Sequence, residues 1–308
     1  MVKNVPVSVR KRLSNLSKNE ERLSLDLLQY YAMERFLYRL SKSSHVNKFI
    51  LKGALFLHVF GGELSRATKD IDLLGVTKTT VEDIATILKE CMRVDVINDG
   101  MKYSEDSLVI SQTQWDSRDR GVRATFLATL GTSRIKMQID IGFGSKITPE
   151  PMLITYPQLL DYGTPKLLGS TLESAIADKF EAMVSRDKTN SRLKDFYDLW
   201  VLANNRSFQS NSLAKALKET FQYYKTNIPI EAPGCLTKEF YGAQEKKTQW
   251  NGFFRQTKIE ERVELEKVCE LIKTFLMPIC SDILEGTPSK KQWEPKKGWT
   301  KQANLKKA

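Results

Sequence analysis

The stretch Leu51–Gly75, LKGALFLHVFGGELSRATKDIDLLG, places two carboxylates, Asp70 and Asp72, within an otherwise apolar run. A β-strand sends alternate side chains to opposite faces, so KDIDLLG as a strand puts both aspartates on one face and Ile71 and Leu73 on the other. An isolated Asp-x-Asp more often caps a strand or faces water. Segments elsewhere in the chain favour a functional role.

A second predicted strand carries a third carboxylate. In RIKMQIDIGFG, residues 134–144, alternation creates a polar face that ends in Asp140. If the two strands lie side by side, the three carboxylates converge, and their mutual repulsion favours a cation between them. Hard oxygen ligands suit Mg²⁺, which in turn bridges phosphate oxygens. The sequence therefore predicts magnesium, as a two-ion site, held by Asp70, Asp72 and Asp140.

Residues around the first carboxylates are typical of a phosphate-binding turn. Gly53, between Lys52 and Ala54, opens a predicted helix, and a glycine there lets backbone amides approach a phosphate. Arg66 and Thr68 precede Asp70 and offer a cation and a hydroxyl to the same anion. We therefore expect these five residues to bind a nucleotide.

The segment STLESAIADKFEAMVSRD begins with a capping-box pattern, Ser170 followed by Glu173, which fixes the helical register. At this register Lys179 lies within an apolar stripe, with Arg186 two turns further on the same face. Either the lysine extends to water along its aliphatic stem, or its ammonium meets the β- and γ-phosphates of a nucleotide. The register leaves both interpretations open.

A further helix, RLKDFYDLW, carries Asp195 and Asp198 three residues apart, hence on neighbouring faces. Either aspartate can pair with Arg192 or Lys194 at the surface. Alternatively, one of them orients Lys179 or helps to activate an incoming hydroxyl.

Strand-like and helical patterns mix up to about residue 165, and helices dominate afterwards, so we predict an α+β fold with three parts. Residues 1–165 form a mixed α/β lobe with N-terminal helices, residues 166–286 a mainly helical lobe, and residues 287–308 a basic flexible tail. The tail holds seven lysines against one glutamate. It is either a solvated extension or a segment that grasps RNA, with Trp293 and Trp299 stacking on bases.

Composition restricts the possible partners. The 308 residues carry a formal charge of +11, which favours polyanions such as RNA. Four cysteines without Cys-x-x-Cys spacing and only two histidines argue against zinc and indicate reduced thiols. Neither a signal sequence nor a bilayer-spanning apolar run is visible, so we expect a cytoplasmic protein with no membrane partner. We also expect it to be a monomer.

Four segments in order, FILKGALFLHVFGGELSRATKDIDLLG, MQIDIGFG, ESAIADKFEAMVSRD and KDFYDLWVLA, resemble the AbiEii/AbiGii family of nucleotidyltransferase-like toxins. This family belongs to the DNA polymerase β-type superfamily. The resemblance implies a nucleotidyltransferase-type mixed sheet flanked by helices, with the helical lobe closing a nucleotide cleft. It further implies a toxin of an abortive-infection type toxin–antitoxin system. Such a toxin moves a nucleoside monophosphate from a nucleoside triphosphate (NTP) to RNA, in one branch to the tRNA 3′ end, which blocks translation.

Carried over residue by residue, the resemblance implies that Asp70 and Asp72 hold the metals and that Asp70 is the more critical. It makes Lys179 a ligand of the triphosphate and Asp195 the later catalytic acidic residue. Thr68 stands where related toxins have a hydroxyl that phosphorylation silences, which fits an antitoxin that acts without stable binding. Ala54 departs from the usual Gly-Ser or Gly-Gly turn, so a serine contact to phosphate is lost.

Three alternatives remain open. The same chemistry can act on a protein or a small molecule instead of RNA. A catalytically silent RNA-binding module is the second alternative, although three carboxylates facing an RNA ligand argue against it. The third is a partner-binding protein that uses its late helix, residues 259–280.

Overall fold

The structure of the protein, a computed structural model, describes residues 4–19, 24–61, 67–76, 80–115, 119–257, 259, 262–287 and 290–301. The chain divides into two compact units. The first comprises residues 1–145 with 151–170, and the second comprises residues 146–150 with 171–308.

A mixed seven-stranded sheet forms the centre of the first unit, in the order β3-β4-β5-β2-β1-β7-β6. Its strands are β1 Phe49–Lys52, β2 Ile71–Gly75, β3 Met101–Trp115, β4 Asp119–Leu130, β5 Ser133–Phe143, β6 Met152–Thr155 and β7 Lys166–Gly169. The pairs β2/β5 and β1/β7 are parallel and the remaining pairs are antiparallel. The predicted α+β class is confirmed.

Four helices accompany this sheet in the described part of the first unit: α1 Val5–Asn19, α2 Ser24–Lys42, α3 Gly53–His58 and α4 Val81–Arg93. Helix α2 is one of the N-terminal helices predicted for this lobe, and its leucine and aromatic residues recur at helical spacing. It packs on the apolar face of the sheet, where the tilted rings of Phe36 and Phe126 contact each other with centroids 5.5 Å apart. Thr80 caps α4, its hydroxyl accepting the Asp83 N–H at 3.1 Å.

Helix α2 also buries charged side chains, which its amphipathic pattern does not indicate. Arg39 donates two hydrogen bonds to Asp99, at 2.6 and 3.0 Å. Glu34 lies 2.7 Å from the Arg35 guanidinium and accepts the Leu159 N–H at 2.7 Å. Each buried charge therefore has a partner close by, as a buried charge requires.

The predicted boundary between the two lobes, after residue 165, lies one strand earlier than the boundary between the two units. Residues 166–169 form β7, which pairs with β1 in the sheet of the first unit, because their backbone groups bond to a neighbouring strand before the next helix begins. The Ser170 N–H continues this pairing by donating to the Leu51 carbonyl at 2.9 Å.

The described second unit is mainly helical, with α5 Leu172–Arg186, α6 Leu193–Asn205, α7 Ser210–Tyr224, α8 Lys238–Gly242, α9 Gln244–Thr257 and α10 Leu265–Leu284. Helix α5 is capped by Thr171, whose hydroxyl accepts the Ser174 N–H. The predicted cap, Ser170, was wrong by one residue, because the backbone of Ser170 still extends the sheet.

The prediction of a flexible tail was wrong for residues 291–301. Strands β9 Lys291–Glu294 and β10 Gly298–Lys301 form a hairpin that joins β8 Phe208–Gln209 in a second, three-stranded sheet. Trp293 is 2% exposed and donates its indole N–H to the Ala203 carbonyl at 2.7 Å. Trp299 donates to the Phe275 carbonyl at 2.8 Å. Both indoles are engaged inside the unit, and the buried ring of Trp293 is not accessible to RNA bases.

The four cysteines are buried and free. Burial raises the pKa of the Cys91 thiol to about 11, so this thiol stays protonated at neutral pH. Among the described residues no helix combines the length and apolarity needed to cross a bilayer.

Candidate active site

The structure brings the three predicted carboxylates together in the first unit. Strands β2 and β5 pair in parallel, with Asp72 directly opposite Asp140. One oxygen from each of Asp70, Asp72 and Asp140 lies within 4.8 Å of the others. The strand neighbourhood on which the prediction depended is thus present, and Asp140 is the most buried of the three, at 8% exposure.

Asp70 is held by the residue two positions before it. The Thr68 hydroxyl donates to Asp70 Oδ1 at 2.5 Å, while the Thr68 N–H donates to the Tyr30 hydroxyl at 3.2 Å. Tyr30 belongs to α2, so the helix on the apolar face fixes the segment that leads into β2. The sequence placed Thr68 near the anion but did not indicate Tyr30.

Arg123 on β4 is the residue that sequence reasoning missed. It stands opposite Asp140 in the β4/β5 register and donates from Nε to Oδ1 at 2.7 Å and from Nη2 to Oδ2 at 2.8 Å. These hydrogen bonds raise the pKa of Arg123; burial opposes this, and the charges of Asp140, Asp70 and Asp72 add to it. The sequence did offer one indication of Arg123. It lies two residues before Thr125, and this spacing places both side chains on one polar face of a strand.

One row of charged residues therefore crosses four strands. The register pairs Lys52 with Asp72, Asp72 with Asp140, and Asp140 with Arg123. Cationic residues stand at both ends of the row and the carboxylates in its middle. Such flanking cations reduce the cost of holding like charges together.

Gly53 makes room for Asp72. Its φ is +67°, and a Cβ at this position would lie 1.9 Å from Asp72 Oδ2. Both the left-handed backbone and the close approach of a carboxylate require glycine. Glycine was predicted at this turn for contact with phosphate; the observed neighbour is the carboxylate of Asp72.

The other predicted nucleotide-binding residues of the first unit are placed as follows. Lys52 ends β1, and Ala54 lies in the first turn of α3, 5% exposed. Arg66 lies outside the described residues. The nucleotide-binding role of Lys52, Gly53 and Ala54 stays a prediction.

In the second unit Lys179 forms ion pairs with two carboxylates. Its ammonium lies 2.8 Å from Asp195 Oδ1 and 2.6 Å from Asp198 Oδ2. The lysine side chain is 11% exposed, and the two aspartate side chains are 1% and 3% exposed. Lys179 is thus held by both aspartates instead of extending to water, and its contact with the phosphates of a nucleotide stays a prediction.

Asp195 has a second cationic neighbour, Arg192 Nε, 2.7 Å from Oδ2. Burial acts to raise the pKa of Asp195, but the charges of Lys179 and Arg192 outweigh it and hold the pKa well below its ordinary value. Asp195 is therefore ionised throughout the physiological pH range. Arg186, the last residue of α5, is half-buried, and its carbonyl accepts the Thr189 hydroxyl at 2.6 Å.

The donor set of the first unit fits a divalent cation. At an effective dielectric of about 20, two unit charges 4.8 Å apart repel by about 3.5 kcal/mol, so the three carboxylates favour a cation between them. Carboxylate oxygens are the ligands that Mg²⁺ prefers. Arg123 donates to both oxygens of Asp140, so this carboxylate carries a compensating cation within the site.

A mixed sheet with carboxylates on two adjoining strands, and a glycine packed against one of them, fits a protein of the nucleotidyltransferase class. The model of the nucleotidyl transferase AbiEii toxin family, of type IV toxin–antitoxin systems, matches residues 35–271. The chain belongs to this family.

Two solved structures from Helicobacter pylori are similar to the chain. JHP933 is 14% identical, with a TM-score of 0.48 over 85% of this chain and 94% of its own. A second structure, provisionally described as a nucleotidyltransferase, is 14% identical with a TM-score of 0.45, over 85% of this chain and 95% of its own. No curated protein matches the chain.

Proposed function

We propose that this nucleotidyltransferase toxin transfers a nucleoside monophosphate from an NTP to RNA, with Mg²⁺, and that the acceptor is the tRNA 3′ end. The observation that carries the proposal is the convergence of Asp70, Asp72 and Asp140 within 4.8 Å. A catalytically silent RNA-binding module gains nothing from this concentration of negative charge facing its ligand.

Asp70 and Asp72 would hold the metal, with Asp140 as a third ligand. Bound Mg²⁺ supplies charge neutralisation for the triphosphate and acidifies the attacking hydroxyl. Thr68 holds the Asp70 carboxylate in place through its hydrogen bond of 2.5 Å. Arg123 donates two hydrogen bonds to Asp140 and neutralises one of the three negative charges.

In the second unit, Lys179 is the proposed ligand of the triphosphate, assisted by Arg186. In the first unit, Lys52 and the backbone at Gly53 are the proposed nucleotide-binding groups. Asp195 and Asp198 fix the Lys179 ammonium, so it needs little reorganisation to meet an anion. Both aspartates keep this lysine charged and oriented, and we propose that Asp195 has a catalytic role besides. Arg66 is a further proposed cation for the phosphates of the nucleotide.

RNA is favoured as the acceptor by the charge of +11, which attracts a polyanion. The resemblance to toxins that modify the tRNA 3′ end favours the same choice. A protein or small-molecule acceptor is the rival, since the carboxylates would serve either chemistry equally.

The family assignment also implies an antitoxin. We propose that it acts without stable binding, through the Thr68 hydroxyl. A phosphate on Thr68 would add about −1.5 to −2 charges beside Asp70, where three carboxylates already repel one another. It would also remove the hydrogen bond that holds Asp70.

The test incubates the full chain with Mg²⁺, total tRNA and each of the four α-labelled NTPs in turn. Label in tRNA is expected with at least one nucleotide. Asp70→Asn should abolish it, whereas Asp106→Asn, at an exposed acid on β3, should leave it unchanged. If the label migrates only with protein or with a small molecule, the acceptor is that molecule and not tRNA. Absence of any transfer by folded protein would remove the proposal.

A further inference from the structure

The sheet face that carries the carboxylates continues beyond them along β3, β4 and β5. Residues directly opposite in an antiparallel pair share a face, as do residues two apart on one strand. From the pair Arg123/Asp140 the same face therefore runs through Thr125/Gln138 and Leu127/Lys136 to Thr129/Arg134, and Lys102 of β3 stands opposite Thr129. We name Lys102, Arg134 and Lys136, with the side chains between them, the basic sheet face.

This face is open to solvent. Lys102, Arg134 and Lys136 are exposed, in contrast to Ile135 and Met137, which are buried on the opposite face under α2. Leu127 is 41% exposed and Val109, opposite Thr125, is 63% exposed. Exposed apolar side chains therefore stand beside exposed cations on this face.

The three cations of the basic sheet face have no acidic partner among the residues that the structure describes. Within the described part of the chain no carboxylate lies within ion-pair distance of Lys102, Arg134 or Lys136. Arg123, by contrast, is committed to Asp140. The one exposed acid of β3 nearby, Asp106, lies in the irregular stretch between Ser104 and Val109 where the pairing register shifts.

We propose that the basic sheet face binds the phosphate backbone of single-stranded acceptor RNA and leads its 3′ end to the carboxylates. The proposal rests on the function proposed above and names the surface that it uses. Arg134 is six residues from Asp140 on β5, about 20 Å along the strand. The cations at one end hold the chain of phosphates, and the reacting end lies at the carboxylates.

RNA fits this surface better than an acidic protein does. The three cations lie at one end of a strand face that runs about 20 Å to the carboxylates, a length that an extended polyanion can span from its bound phosphates to its reacting end. The exposed Leu127 and Val109 on the same face offer apolar surface to bases and riboses. An acidic peptide is the alternative that the test includes.

The test measures binding of a fluorescein-labelled 12-nucleotide single-stranded RNA by anisotropy between 50 and 300 mM salt, without NTP, so no turnover occurs. Arg134→Ala/Lys136→Ala removes two phosphate contacts, so the slope of log Kd against log salt should fall by about 1.4. Binding at 0.1 M salt should weaken on the order of twentyfold. Lys102→Gln, on a different strand, should lower the slope by about 0.7.

Lys215→Ala/Lys218→Ala is the matched control, because it removes two exposed lysines from α7 in the second unit. It should leave the slope and the affinity within twofold of the parent chain. Equal losses in both double variants would mean that RNA follows net charge, and this would overturn the proposal. A 12-residue polyaspartate that competes as well as the RNA would overturn it too.

Failure of this proposal is distinguishable from failure of the proposed function. If tRNA becomes labelled but Arg134→Ala/Lys136→Ala binds RNA like the parent chain, only the proposal that the basic sheet face binds RNA is refuted. If no labelling occurs but the double variant loses RNA binding, the surface stands and the transfer reaction does not. Circular dichroism and thermal unfolding of each variant establish that it is folded.

Discussion

Gly53→Ala provides the sharpest test of the carboxylate site. A Cβ at this position would stand 1.9 Å from Asp72 Oδ2, so the carboxylate has to retreat by about 1.5 Å to reach the 3.4 Å of ordinary contact. A displacement of about 1 Å in a catalytic group commonly costs about 100-fold in rate. We therefore expect nucleotide transfer to fall at least about 100-fold, with Mn²⁺ binding, followed by electron paramagnetic resonance, weakened in parallel.

The matched control is Gly61→Ala. Gly61 has the same φ of +67°, but no described atom comes within 4 Å of a Cβ placed there. Both variants incur the left-handed backbone cost of roughly 1–2 kcal/mol, measurable by urea unfolding. Only Gly53→Ala adds the encounter with Asp72. If the two variants show the same transfer rate and the same Mn²⁺ affinity, the inference that Gly53 exists to accommodate Asp72 is refuted.

Three further predictions follow from buried groups. Burial raises the pKa of Glu34 to about 7 from 4.5 despite Arg35 nearby, so the folded state holds this proton more tightly. The free energy of unfolding should thus decline by up to about 3 kcal/mol from pH 4.5 to 7, and Glu34→Gln should abolish this dependence in urea titrations. Asp195→Asn and Asp198→Asn each remove one carboxylate from Lys179 and should destabilise the fold by about 2 kcal/mol, with a larger effect for Asp195→Asn because it also loses the ion pair with Arg192. A loss of transfer in Asp195→Asn that exceeds the loss in Asp198→Asn, measured on folded protein, would demonstrate the separate catalytic role of Asp195, and equal losses would refute it. Trp293→Ala should cost about 3–5 kcal/mol in thermal unfolding, whereas a flexible tail predicts no change.

Local patterns predicted much of the fold. Helix α2 followed from its 3.6-residue periodicity, and strands β2 and β5 followed from their two-residue alternation. The misplaced elements were short. The four-residue strand β7 and the hairpin at residues 291–301 contain too few residues for a period to show, and their pairing partners are distant in sequence.

The sequence by itself determined which residues carry charge and which strand face each one occupies, because side-chain alternation is a local property of the backbone. It thereby placed Asp70 and Asp72 on one face and Asp140 on the polar face of another strand. Only the tertiary structure decided that β2 lies beside β5, that Arg123 stands opposite Asp140, and that Gly53 faces the Asp72 carboxylate. Strand order and register arise from the packing of the whole unit, since they depend on hydrogen bonds between segments far apart in the chain. The same register extends the carboxylate face into the basic sheet face, which no single segment of the sequence shows.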